Sequence, residues 1–207
     1  GDDIRNMDWR VTARTGKAHT KIFQEERERP VLVVLDASPS LYFGTRERLK
    51  SVAAGQLAAA IAWAAVKRGD RIGGFLFAPG RHRELRPAGG RRGAMRMIQG
   101  LVEWLEPDQQ GSNRNEPLSS ALERVRHAVR PGSLVVVISD FFGMDEACNR
   151  HLSRLRQHND VIGCQVVDAA EYRLPQGRYP ISDGENAAIL DMGEKDSRSR
   201  YDRMSSR

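Results

Sequence analysis

The sequence has little cysteine, few aromatic residues and no long apolar run. Two of its 207 residues are cysteine, and Phe, Trp and Tyr together make up 6%. The cysteines lack a CxxC or Cys/His spacing, which excludes a disulfide framework and a zinc finger and favours a reducing, cytoplasmic location. The longest apolar-rich stretch, 57–66, is shorter than the ~20 residues that cross a bilayer, and residues 1–9 do not resemble a signal peptide. No membrane span is predicted.

Neither positive nor negative charge dominates the sequence. Lys and Arg number 33 against 27 Asp and Glu, a net charge of +6, and 40% of the residues are hydrophobic. This composition is typical of a single globular domain. The positive charge is compatible with an acidic partner or with nucleic acid, but the scarcity of aromatic residues for base stacking makes nucleic acid the less favoured partner. The glycine-rich basic stretch 89–93 (GGRRG) is interpreted as a mobile loop.

From residue 31 the chain alternates short β-branched runs with helical patterns. This order is typical of an α/β domain with a mostly parallel sheet and helices on both faces. The continuous apolar run at 31–35 predicts a central strand that is covered on both sides. A helix is expected at 45–68, with Leu49, Val52 and Leu57 among its apolar positions. Further strands are expected at 71–78, 134–138 and 161–167, a hairpin partner at 81–87, and helices around 95–105, from 117, and around 148–155.

The chain divides into three segments by pattern. Met7, Trp9 and Val11 alternate with polar residues, so residues 1–30 are interpreted as an N-terminal β extension of the sheet. Residues 31–192 form the α/β domain, and residues 193–207 form a polar tail.

The strongest chemical signal is a DxSxS motif directly after the central strand. Asp36, Ser38 and Ser40 place one carboxylate and two hydroxyls on a tight loop, and the strand at 134–138 is followed by Asp140. Ligands of α/β sheets bind at the carboxyl ends of the strands. Hard oxygen ligands of this kind suit Mg²⁺. In the alternative interpretation, the same side chains cap backbone groups at a strand-to-helix junction.

These features resemble the von Willebrand factor A domain and its metal-ion-dependent adhesion site. The resemblance implies that Ser38 and Ser40 contact Mg²⁺ directly, while Asp36 and Asp140 hold its water molecules; Mn²⁺ and Ca²⁺ are alternative ions. Such sites usually add a threonine from a later loop. Glu116 stands at the matching position here, so it is a weaker metal candidate.

A second resemblance covers nearly the whole chain. The segments GDDIRNMDWRVTART (1–15), FQEERERPVLVVLDASPS (23–40) and DGENAAILD (183–191) are similar to a bacterial family called domain of unknown function fifty-eight. Members of this family tend to accompany MoxR-type AAA+ ATPases in complex assembly, so the resemblance implies such an ATPase as a partner.

The function expected is a non-enzymatic protein-interaction module, in which an acidic side chain of a partner completes the coordination of Mg²⁺. A metal-free structural scaffold is one alternative. A metal-dependent hydrolase is another, with Glu116 or Asp168 as the general base. A phosphatase of the haloacid dehalogenase type needs a second Asp two positions after the first, where Ser38 stands. The chain also lacks the phosphate-binding, dinucleotide-binding and serine-nucleophile motifs.

Overall fold

A computed structural model of the chain describes residues 9–16, 28–106, 117–182 and 187–194, and residues 196, 198 and 201. The strands are β1 (Pro30–Asp36), β2 (Arg71–Ala78), β3 (Arg81–Ala88), β4 (Leu134–Ser139), β5 (Asp160–Gln165), β6 (Arg178–Ser182) and β7 (Ala187–Asp191). The α-helices are α1 (Trp9–Thr15), α2 (Lys50–Lys67), α3 (Gly90–Trp104), α4 (Leu118–Ala128), α5 (Glu146–Arg156) and α6 (Ala169–Tyr172), and a 3-10 helix spans Pro39–Tyr42.

The main sheet has five strands in the order β3-β2-β1-β4-β5. β1 lies at its centre and pairs in parallel with both β2 and β4, whereas β3 is antiparallel to β2. The continuous apolar runs of β1 and β4 are buried because helices cover both faces of the sheet. The predicted fold class, a mostly parallel α/β sheet with helices on both faces, is confirmed.

Two apolar clusters lie on opposite faces of this sheet. Successive side chains of a strand point to opposite faces, so Val33 and Leu35 belong to the cluster that includes α2 and α3. Val34 joins the other cluster, which includes Leu122 of α4 and Leu155 of α5. The sheet is therefore the middle layer of three, and its strand ends are left to form the polar edges.

The buried face of α2 is not the one predicted. Ala54, Ala58 and Ala62 are fully buried, whereas Val52 is 44% exposed and Leu57 is 37% exposed. Both faces of this helix are apolar, so the periodicity of the sequence cannot choose between them. The alanine face is the one buried because small side chains let the helix axis approach the sheet closely. The helix also begins at residue 50, later than the predicted residue 45.

The GGRRG stretch is not a loop, because Gly90–Gly93 form the first turn of α3. A Cβ atom on Gly93 would overlap the carbonyl oxygen of Ala88, at the end of β3. Glycine is therefore needed at residue 93 for the close approach of a helix to a strand, rather than for mobility.

The prediction of an N-terminal β extension is wrong for residues 9–16, which the structure describes. Residues 9–15 form α1, which satisfies its hydrogen bonds locally and ends where the Gly16 amide donates to the carbonyl of Thr12 and Gly16 adopts a φ of 68°. Residues 1–8 and 17–27 lie outside the described residues. The antiparallel addition to the sheet is β3 instead.

The segment after β5 also has more structure than its turn-rich sequence suggests. β6 and β7 form an antiparallel hairpin in which Tyr179 pairs with Leu190. In the polar tail, of which residues 193, 194, 196, 198 and 201 are described, the Tyr201 hydroxyl donates to the carbonyl oxygen of Ala170. The boundaries of the three predicted segments otherwise stay a prediction. In the described part of the chain, no helix is long and apolar enough to cross a membrane.

We expect Gly93→Ala to lower the free energy of unfolding by about 1–3 kcal/mol, because the added methyl group would push α3 away from β3. Gly143→Ala is the matched control, since a Cβ atom there meets nothing within 4 Å. Urea denaturation of both variants measures the difference. Equal urea midpoints for the two variants would show that α3 can move without cost.

Candidate functional site

The four residues predicted to bind metal lie at one edge of the sheet. Asp36 is the last residue of β1, and Asp140 directly follows β4. These strands are parallel neighbours, so their carboxyl ends meet. Ser38 and Ser40 lie on the turn and 3-10 helix that follow β1. We call Asp36, Ser38, Ser40 and Asp140 the edge site.

Asp36 is the buried centre of the edge site, with 4% of its surface exposed. Its carboxylate accepts hydrogen bonds from the Ser38 amide at 2.8 Å and from the Ser139 hydroxyl at 2.6 Å. Burial raises the pKa of this carboxyl; the hydrogen bonds from Ser139 and Ser38 oppose the rise, and the charge of Asp140 adds to it. A positive charge placed beside Asp36 would therefore offset the free-energy cost of burying its carboxylate.

Asp140 is held by two different groups. One carboxylate oxygen accepts a hydrogen bond from the Phe142 amide at 3.0 Å. The other lies 2.9 Å from the ammonium of Lys50, which also contacts the Glu171 carboxylate at 2.5 Å. Lys50 is only 3% exposed. Burial alone would lower the pKa of Lys50, but the hydrogen bonds and charges of Glu171 and Asp140 outweigh this effect and raise it.

The edge site offers donors that suit Mg²⁺. Ser38 and Ser40 are half-buried, so their hydroxyls lie near the surface, and the two carboxylates lie beneath them. Among the described residues there is no group of three or more His, Cys, Asp or Glu that could hold a metal ion, so a metal would depend on serine hydroxyls and water. The donor chemistry fits Mg²⁺, although Lys50 already contacts one oxygen of Asp140. Glu116, the weaker candidate, lies outside the described residues.

Lys50, Glu171 and Ser139 are the residues of this region that sequence reasoning missed. Lys50 carries only a weak signal: it lies four residues before Ala54 and so shares one face of α2, but the sequence does not show that this face is the buried one. A lysine on a buried helix face needs a carboxylate partner. Glu171 has no comparable signal, since it lies 121 residues away along the chain.

Asp168, the second general-base candidate of the hydrolase alternative, has a structural role. Its carboxylate accepts hydrogen bonds from the Ala170 amide at 2.8 Å and from the amide and hydroxyl of Thr45. The Asp168 amide in turn donates to the Glu171 carboxylate, which completes a capping box for α6. Slight burial acts to raise the pKa of Asp168, but the bonds from Thr45 and Ala170 lower it overall. This carboxylate ties α6 to the segment before α2.

Exposed apolar side chains lie on the two loops that carry the edge site. Phe43 follows the 3-10 helix and is 42% exposed, while Phe142 and Met144 follow β4 and are 85% and 40% exposed. The neighbouring Phe141 has a φ of 57°, a left-handed conformation that is rare outside glycine, and its amide donates to the Ser139 hydroxyl at 3.0 Å. The turn after β4 therefore holds the Phe142 ring in solvent. We call Phe43, Phe142 and Met144 the apolar rim.

Comparison with known families identifies the chain. The family model described as Protein of unknown function DUF58 matches residues 1–207. The chain belongs to the DUF58 family. Uncharacterized proteins of Mycobacterium tuberculosis (strain H37Rv) and Mycobacterium bovis are 32% identical to it over 190 residues. The match covers 91% of this chain and 59% of each relative, so the chain spans about three fifths of the length of these relatives.

Two solved structures are similar to this DUF58 chain. The crystal structure of an aerotolerance-related membrane protein from Bacteroides fragilis, carrying multiple mutations to serine, matches with a TM-score of 0.55 and 17% identity. That match covers 86% of this chain and 88% of the other. The SpRpn10 VWA domain matches with a TM-score of 0.32 and 8% identity over 67% of this chain and 89% of that domain. The first of these two matches supports the α/β fold of the chain.

The burial of Asp36 predicts a pH-dependent difference between the wild type and Asp36→Asn. Because its folded-state pKa lies above the usual 3.8, the folded protein binds this proton more tightly than the unfolded chain does. Wild-type stability from this group is therefore greatest below the usual pKa and falls as the pH rises towards the raised pKa. Asparagine does not titrate, so we expect the variant to gain stability relative to the wild type across this pH window.

The measurement is thermal unfolding in EDTA from pH 4 to pH 8, with Glu47→Gln as the control because the Glu47 side chain is 84% exposed. A constant difference between Asp36→Asn and the wild type at every pH would mean that Asp36 does not bear a burial penalty.

Proposed function

We propose that this chain is a non-enzymatic protein-interaction module whose contact surface is the edge site and its apolar rim. In this proposal Mg²⁺ is bound by the hydroxyls of Ser38 and Ser40, and Asp36 and Asp140 hold its water molecules. The ion supplies a positive centre to which a carboxylate of a partner can bind.

The observation that carries this proposal is the presence of a buried acidic centre and of exposed apolar side chains on the same two loops at one edge of the sheet. Protein interfaces commonly combine a few buried polar anchors with aromatic and methionine side chains. Phe142, which is 85% exposed, gains most from burial against a partner. An enzyme would need a general base near the metal; of the two candidates, Asp168 caps α6 and Glu116 lies outside the described residues.

The partner proposed is an AAA+ ATPase of the MoxR type, which would make this chain part of a complex-assembly system. This choice comes from the family resemblance. A metal-dependent contact of this kind suits regulated assembly, because binding can be switched through a few coordinated groups rather than through a large apolar surface.

Metal binding is tested by thermal unfolding in millimolar Mg²⁺ or Mn²⁺ against EDTA. A ligand that binds only the folded state raises its stability, so at ten times the dissociation constant we expect a rise in Tm of about 3–5 °C. The variant Ser38→Ala/Ser40→Ala should lose this rise. Ser153→Ala, an exposed serine on α5, should keep it. A wild type that shows no rise in either metal would contradict the metal part of the proposal.

Partner binding is tested with a purified MoxR-type ATPase from a bacterium that encodes a protein of this family. We expect binding in Mg²⁺ and not in EDTA, and a dissociation constant about tenfold higher for Phe142→Ser, because burial of the ring is lost. Val102→Ser on α3 is the control, since Val102 is also exposed, at 61%, but lies outside the apolar rim. If both substitutions weaken partner binding equally, the apolar rim is not part of the interface.

A metal-free scaffold is the second candidate, and one specific observation favours it. The Lys50 ammonium already supplies a positive charge to Asp140. In that case the surface would still bind a partner through the apolar rim, and EDTA would leave the affinity unchanged.

A further inference from the structure

Lys50 is the most buried charged side chain near the edge site. It is the first residue of α2, and its ammonium contacts the carboxylate of Asp140 after β4 and that of Glu171 in α6. One positive group therefore joins three elements of the fold. The carboxylates of Asp140 and Glu171 both contact this single ammonium, and Asp36 lies next to Asp140 at the same edge of the sheet.

This arrangement has the features of a bound cation that the chain itself provides. A buried ammonium is stable only when carboxylates surround it, and the carboxylates are stable only while the ammonium is present. Its contact atom on Asp140 belongs to the carboxylate that the proposed function assigns to the waters of Mg²⁺. The ammonium and a divalent ion would thus neutralise the same group.

We infer that Lys50 is the built-in cation of the edge site: it keeps Asp140 and Glu171 together without metal, and it competes with divalent ions for Asp140. The inference rests on the proposed function for the location of the metal. It adds that Lys50 limits the affinity of the edge site for a divalent ion. With Lys50 in place, a divalent ion finds Asp140 partly neutralised and binds weakly. Without Lys50, the clustered carboxylates need a cation from solution.

The decisive variant is Lys50→Met, which keeps the length of the side chain and removes its charge. In EDTA we expect its Tm to fall by on the order of 10 °C, because the two carboxylates lose their buried partner. Millimolar Mn²⁺ should recover roughly half of this loss, a larger rise than in the wild type. Lys67→Met, at the exposed far end of the same helix, should match the wild type in both conditions.

A lysine with a purely structural role would give the same loss of Tm with and without metal. The inference is therefore overturned if Mn²⁺ raises the Tm of Lys50→Met no more than that of the wild type. Should Lys50→Met be unfolded in EDTA, its circular dichroism is measured after refolding in Mn²⁺. A folded spectrum supports the inference, and an unfolded one overturns it.

The double variant Lys50→Met/Asp140→Asn supplies an independent measurement. Removing one carboxylate together with the ammonium should restore part of the Tm in EDTA and abolish the extra rise in Mn²⁺. If the double variant is no more stable than Lys50→Met and still responds to Mn²⁺, the metal does not bind at Asp140 and the inference is overturned.

These outcomes separate the inference from the proposed function. If the wild type shows no metal response but Lys50→Met does, the Mg²⁺-dependent function fails and the built-in cation stands. If the wild type and Lys50→Met respond equally, and Ser38→Ala/Ser40→Ala abolishes the response, the proposed function stands and the inference fails.

Discussion

The parallel pairing of β1 with β4 is the constraint on which the site depends. In this register Leu35 lies opposite Ile138, so the next residues along the two strands bring Asp36 beside Ser139 and Asp140. The short hydrogen bond from the Ser139 hydroxyl to the Asp36 carboxylate joins the two strand ends directly. A shift of register by one residue would turn every side chain of β1 to the opposite face and separate these groups. Apolar packing thus fixes the position of the polar chemistry.

Much of the fold can be predicted from the sequence because the strongest patterns are local. The apolar runs of β1 and β4 can only be strands covered on both faces, and the DxSxS motif marks the strand end where Asp36 lies. The limits of prediction are equally physical. The alanine face of α2 is no more apolar than its outer face, and only contact with the sheet selects it. The GGRRG stretch has the composition of a mobile loop. Only the close approach of Gly93 to Ala88 in the folded chain shows that glycine is needed at residue 93.

The charged part of the site is harder to predict than its serines. Lys50 is a lysine at the start of a helix and would ordinarily be assigned to solvent, yet it is buried between Asp140 and Glu171. Its partners come from β4 and α6, which are remote in sequence. The DxSxS motif contains one set of oxygen atoms, while the fold of this DUF58 chain adds a second set of charges that the motif does not contain. Both sets have to be considered when the chemistry of the edge is assigned.

The sequence distance between these partners has a consequence for synthesis on the ribosome. Lys50 is 90 residues from Asp140 and 121 residues from Glu171. Contacts of such high sequence separation form late, because the intervening chain must first be ordered. During translation Lys50 leaves the exit tunnel long before either carboxylate, so its contacts with both carboxylates cannot be complete until α6 has emerged. An element that is made after all five strands of the main sheet therefore completes the edge of its earliest strand.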